Sequence, residues 1–300
     1  MSIFETPGPI SLAVELNLGD VRITASDRTD TAVDVRPSNE SKGSDVRAAE
    51  QTRVEYFNGT LLIKGPKEWK RYAILSGNGS IDVDVRLPSH SDVRGDAGMG
   101  TFQCDGELGR CDLRTGMGTV RLDRTASMKA ESGYGDIIVD RAAGNLEAKT
   151  GSGDITIRGI DGSAHIKNSD GDIDIDEIAG DLHVKAANGD ISIGRAQASI
   201  SAKSANGNVR VEEITRGSVV LETAAGNVAV GIAEGTTAWL DASTQYGHVR
   251  NSLSPSSGPD GGGETAEIRA RTSYGDIEAH RSVRTRLETE SRSRPADPQN

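Results

Sequence analysis

The sequence predicts an all-β fold: a single-stranded parallel β-solenoid with coils of about 18 residues. Three observations predict it. One short phrase, ending in a turn glycine, returns at a nearly constant interval. The residues on both sides of that glycine alternate apolar and polar with period two. The aromatic share is only 3%, so a core of ordinary globular type has little of the large buried area that Phe, Tyr and Trp supply.

The phrase is clearest as "GSGDITI" (151–157), "SDGDIDI" (169–175) and "ANGDISI" (187–193). Taking its last glycine as an anchor gives Gly79, Gly100, Gly118, Gly135, Gly153, Gly171, Gly189, Gly207, Gly226, Gly247 and Gly275. From Gly100 to Gly226 the steps are 17 to 19 residues, and a period of that length marks a repeat architecture. Two residues after the anchors stand Ile137, Ile155, Ile173, Ile191, Val209 and Val228, and four after them Val139, Ile157, Ile175, Ile193, Val211 and Val230. Seven and five before them stand pairs such as Leu146/Ala148, Ala164/Ile166 and Leu182/Val184. Alternation of this kind reads as strands with one buried face. Each repeat is therefore strand, tight turn, strand, loop.

Eighteen residues cannot hold two strands and a crossover helix, which need ~30. The chain must coil, each strand pairing with its counterpart one coil on, at ~4.8 Å. Eleven such coils make a rod of ~50 Å, and the general crossover bias favours right-handed winding. The core columns are built from Ile137, Ile155, Ile173, Ile191, Val209 and Val228. Gly135, Gly153, Gly171, Gly189, Gly207 and Gly226 are expected to supply positive φ or close approach between coils.

The ends depart from the pattern. Residues 1–75 carry looser versions, "LNLGDVRI" and "FNGTLLIKG", and read as an irregular β cap continuous with the solenoid of residues 76–280. A cap is expected because an open coil end is an unpaired strand edge. Residues 252–264 read as a flexible loop, and 283–300, charged and Pro-containing, as a disordered tail.

Several polar columns invite chemistry. Asp136, Asp154, Asp172 and Asp190 follow successive anchors, continued by Asn208 and Asn227. Stacked carboxylates recruit Ca²⁺ in some sites, but Asp and Asn also cap turn N–H groups, and the turn reading is preferred. Lys149, Lys167, Lys185 and Lys203 form a parallel cationic column. Glu147, His165, His183 and Ser201 form another; a ladder whose side chains all point one way offers no pocket for a Ser-His-acid site. Tyr246 and Tyr274 occupy equivalent turn positions, with Tyr134 further off. Cys104 and Cys111 fall in inward columns, as buried thiols rather than a disulfide framework.

The net charge of −11 argues against non-specific nucleic-acid or anionic-membrane binding. No apolar run is long enough to span a membrane. The start "MSIFETPGPI" has neither the basic nor the apolar region of a signal peptide, so a cytoplasmic location is expected. No cofactor and no enzyme activity are expected: carboxylates are everywhere and the loops are too short to build a groove.

The stretch "FETPGPISLAVELNLGDVRITAS", with "ESGYGDIIV", "KTGSGDITI", "KNSDGDIDI" and "KAANGDISI", resembles a large bacterial β-strand-repeat family of unknown function whose members are called putative adhesins. The resemblance spans roughly residues 4–280. It implies a β-solenoid without established enzyme activity, and a place near the cell envelope, where some relatives act with stress-sensing membrane proteins. The resulting expectation is a non-enzymatic solenoid that presents a laddered surface to a protein partner. The alternatives are a self-assembling, cytoskeleton-like scaffold, third a secreted adhesin exported without a standard signal, and last a polysaccharide-active β-helix enzyme.

Overall fold

A computed structural model describes residues 1–66, 79–253 and 263–282. The loop expected at 252–264, apart from its four end residues, and the tail expected at 283–300 lie outside them.

Alternation dictates the coil. In the Gly171 coil, strand Ala164–Asp170 points Ala164, Ile166 and Asn168 inward and His165, Lys167 and Ser169 outward. After the turn, strand Ile173–Ile178 points Ile173, Ile175 and Ile178 inward. Each coil thus gives one strand to each of two facing walls. Pairing is parallel and in register on both: Leu146 to Ala164 to Leu182 to Ile200 on the first wall, Ile155 to Ile173 to Ile191 to Val209 on the second. A slip of one residue would turn every apolar side chain outward, so the pattern itself holds the register. Ile137, Ile155, Ile173, Ile191, Val209 and Val228 are all within 1% of full burial. Each such side chain contributes roughly 1.5–3 kcal/mol when taken from water.

The first 66 residues hold both a coil and a cap. Strands Ser11–Leu18 and Val21–Ser26, joined at Gly19, pair in parallel with the Gly100 coil as any other coil does. Gly19, with φ of 130°, is the first solenoid turn. Gly79, which the spacing count places first, is not a turn of the stack: it seats the helix Gly43–Gln51, because a Cβ there would meet Ser44 and Ala48. Beyond the Gly19 coil lie Thr60–Lys64 and Ile81–Pro88, one on each wall. Antiparallel strands then close them, Arg53–Phe57 on the first and Asp30–Pro37 and Ser2–Glu5 on the second. Reversing strand direction ends the parallel template that another coil would need.

At the other end, chain order and stack order part. Strand Gly217–Ala225 pairs with Thr265–Tyr274, and that strand pairs in turn with Thr237–Tyr246. The last coil in sequence is therefore inserted between the Gly226 and Gly247 coils. The inserted coil offers Ala266, Ile268, Ala270, Ile277 and Ala279 to the core, all buried. The displaced one places Asn251 in the column of Ala279 and Val230, and its Trp239 is 74% exposed. Burying the more apolar coil removes more apolar surface from water.

Candidate functional site: the laddered turn edge and the lysine row

The aspartate column is a ladder of caps. Asp136 Oδ1 accepts from Asp154 N at 2.9 Å, Asp154 from Asp172 N at 2.9 Å, Asp172 from Asp190 N at 2.8 Å and Asp190 from Asn208 N at 2.8 Å. Asn208 caps Asn227, Asn227 caps Asp276, and Asp276 caps His248, following stack order rather than chain order. One carboxylate oxygen per residue is thereby spent on the neighbouring coil. Among the described residues, no group of three or more His, Cys, Asp or Glu side chains is arranged to hold a metal ion.

The turn glycines are held by contact as well as conformation. Gly135, Gly153, Gly171, Gly189, Gly207 and Gly226 have φ between 122° and 148°. At Gly171 a Cβ would overlap the carbonyl of Gly153. Those carbonyls receive a second ladder: Thr150 Oγ1 donates to Gly135 O, Asn168 Nδ2 to Gly153 O, Ser204 Oγ to Gly189 O and Thr223 Oγ1 to Gly207 O. Ala186 breaks this ladder, since it has no donor for Gly171 O. Asn168 fills the gap by donating also to Gly171 O, at 2.8 Å. The signal was in the sequence as one alanine in a Ser/Thr/Asn column, but the two-carbonyl reach of the amide was not.

On the outer face of the first wall, Lys149, Lys167, Lys185 and Lys203 stand in one row, directly paired coil to coil. Glu131 and Glu222 bound the row at its two ends. Lys203 Nζ lies 2.7 Å from Glu222. Among the described residues, Lys149, Lys167 and Lys185 have no carboxylate within ion-pair distance. Beside them the rings of His165 and His183 lie tilted to each other with centroids 4.9 Å apart, both exposed. Glu147, next in that column, is engaged by Lys129 at 3.1 Å, and Ser201 follows at the other side. This part of the wall borders a shallow groove of about 700 Å³.

The second wall is acidic near its middle. Burial raises the pKa of Asp174, and the neighbouring carboxylates of Asp172, Asp176 and Asp154 raise it further. Tyr246 and Tyr274 stack at 4.9 Å with ring planes 9° apart, while Tyr134 lies coils away. Cys104 and Cys111 are free and buried on opposite walls.

With this architecture in view, comparison with known proteins is informative about family. The Toastrack family, DUF4097, matches residues 10–279. The chain belongs to it. Toastrack proteins are β-solenoids, as this one is. Among solved structures, this Toastrack chain is similar to the "putative adhesin" of Bacteroides fragilis, at 13% identity over 93% of this chain and 95% of that one, with a TM-score of 0.32. It is also similar to the "putative lipid binding protein" of Parabacteroides distasonis, at 12% identity over 93% and 95%, with a TM-score of 0.35. A "putative adhesin" of Parabacteroides merdae stands at 12% identity over 93% and 94%, TM-score 0.35. No curated protein matches the chain. Among the described residues, no helix is long and apolar enough to cross a membrane.

Proposed function

We propose that this Toastrack chain is a non-enzymatic binding module and that the first wall, around the lysine row, is its binding face. The observation that carries this reading is the row itself: cations held at coil spacing on a rigid sheet, three of which, Lys149, Lys167 and Lys185, have no carboxylate within ion-pair distance among the described residues, in a chain whose net charge is −11. Extended faces of this kind are how repeat proteins engage their ligands. Among the described residues, the short loops between coils build no deep cleft in which a reaction could be shielded from water.

The test spreads the protein over arrays of glycans, peptides and lipid vesicles, beside two variants. Lys167→Glu with Lys185→Glu alters the proposed face. Arg158→Glu makes the same kind of charge change on the other wall, where Arg158 faces Asp140 at 3.5 Å. Retention of a ligand by the wild type and by Arg158→Glu, lost in the lysine variant, with the ligand recovered chemically intact, supports the reading. A ligand recovered cleaved, or retained equally by all three proteins, overturns it.

A further inference from the structure

We propose that this chain pairs with a second copy of itself, end to end, through the open edge of the Gly247 coil. The inference is independent of the lysine face. It uses a different property of the solenoid: one end of the stack is closed and the other is not.

The backbone comes first. In the inner coils the inward residues send their N–H groups to the following coil, as Leu146 does to Ser163 O, Ala164 to Asp181 O and Leu182 to Ser199 O. Ile155 does the same on the second wall, to Asp172 O. Thr237–Tyr246 and Val249–Asn251 form the outermost coil, and among the described residues they pair only with the coil beneath. Thr237 N donates to that coil, at Glu264 O. By the same alternation the N–H groups of Ala238, Leu240, Ala242 and Thr244, and of Val249 and Asn251 on the second wall, point past the end of the stack, where no described strand receives them.

Packing comes second. Ala238, Leu240 and Ala242 face inward yet are only half-buried, and Val249 is exposed. Their counterparts one coil below, Ala266, Ile268, Ala270 and Ile277, are fully buried. At the other end of the solenoid Leu61 and Ile63 have no exposure beneath the antiparallel strand Arg53–Phe57, and Phe4 packs on Tyr56 with ring centroids 5.5 Å apart. A sheet edge meant to stay bare is guarded by Lys, Pro or a bulge. Residues 237–251 contain no Lys, Glu or Pro.

The partner comes third. The free edge consists of two strands that run in opposite directions from one turn. A single extended peptide covers one wall; covering both takes another coil edge, and a second copy brings one. A two-fold axis perpendicular to the solenoid sets the two edges antiparallel, inward residue opposite inward residue. Free N–H and C=O groups are then exchanged, and the half-buried apolar side chains lose their remaining contact with water. Charge permits the match of like with like, because Asp241 is met by Arg269 and Arg271, and Arg250 by Asp276, within one protomer. The contact is isologous and consumes the open end of both copies, so assembly stops at two.

The experiment is light scattering of the full chain over a dilution series, with hydrogen exchange on the same samples. The mass should rise with concentration from one chain to two and go no further, and the amides of Ala238, Leu240 and Ala242 should exchange slowly only in the dimer. Ala242→Pro removes an N–H that the monomer leaves unbonded, a place where a strand tolerates Pro. It should keep the wild-type melting curve at high dilution and weaken pairing by about tenfold or more. Leu240→Lys should act likewise by charging the edge. Phe57→Lys, on the exposed hairpin at the other end, should change nothing. A single-chain mass at every concentration overturns the proposal, and slow exchange of the three amides in such a monomer would assign the edge to the chain's own residues. Mass that grows beyond two chains also overturns it, as does a dimer that survives both edge variants or is lost in Phe57→Lys.

Discussion

Asn168 carries two coils at once, and its removal can be worked from the structure. Its amide donates to Gly153 O at 3.0 Å and to Gly171 O at 2.8 Å, while its own Oδ1 is buried without a partner. A net hydrogen bond is worth ~1 kcal/mol, so Asn168→Ala should cost about 2 kcal/mol, less whatever is recovered by losing the unpaired oxygen. Asn168→Ser should keep the bond to Gly153 O, as Ser204 keeps its bond to Gly189 O, and lose the one to Gly171 O, at a cost of ~1 kcal/mol. In that background Ala186→Ser supplies the missing donor and should restore ~1 kcal/mol. In the wild type the same change should do little, because Gly171 O is already served. Urea denaturation of the four proteins of this cycle, followed by far-ultraviolet circular dichroism, gives the coupling. Equal effects of Ala186→Ser in both backgrounds would refute the reasoning, as would an Asn168→Ala variant as stable as the wild type.

Other perturbations test other layers. Ile173→Asp puts an unpaired carboxylate between Ile155 and Ile191 at a site with no exposure. Its cost of several kcal/mol rivals the stability of a whole domain, roughly 5–15 kcal/mol, so the variant should elute as aggregate or unfolded chain; a wild-type melting curve would disprove the column assignment. Asp174 has a pKa raised by burial and by nearby carboxylates, so its ionised form opposes folding above that pKa and the cost fades as pH falls through it. Asp174→Asn should therefore raise the melting temperature at neutral pH and lose this advantage in acid; a gain that persists in acid contradicts the assignment. Burial holds the Cys104 thiol well above its usual range and pushes that of Cys111 up to about 12. Neither should react with Ellman's reagent in the native protein at mildly alkaline pH, and both should react in urea; a native signal of one thiol would show the wall to be open.

Much of the molecule was legible because its information is local and repeated. The period of Gly135 through Gly226 and the alternation around them specify strands, turn and register, since each residue's partner is its own counterpart one coil away. The aspartate caps follow from the same logic: a residue that begins each turn finds the next turn's N–H at a fixed place. The site was legible only in part. Lys149, Lys167, Lys185 and Lys203 can be aligned on paper, but the freedom of the first three from carboxylates depends on which neighbours are diverted elsewhere, Glu147 to Lys129 above all.

The sequence by itself determined the coil, its core columns and the ladders along its turns, because one short-range rule, obeyed coil after coil, leaves no other way to bury the apolar face. Only the tertiary structure decided the ends. A parallel coil edge accepts any coil of matching register, so pairing rules alone do not say whether Gly247 or Gly275 follows Gly226. The choice went to the coil with more apolar surface to bury, leaving Asn251 and Trp239 in the outermost layer. The same surplus of acceptable partners explains the N-terminal end, where residues far apart in sequence close the stack by turning antiparallel.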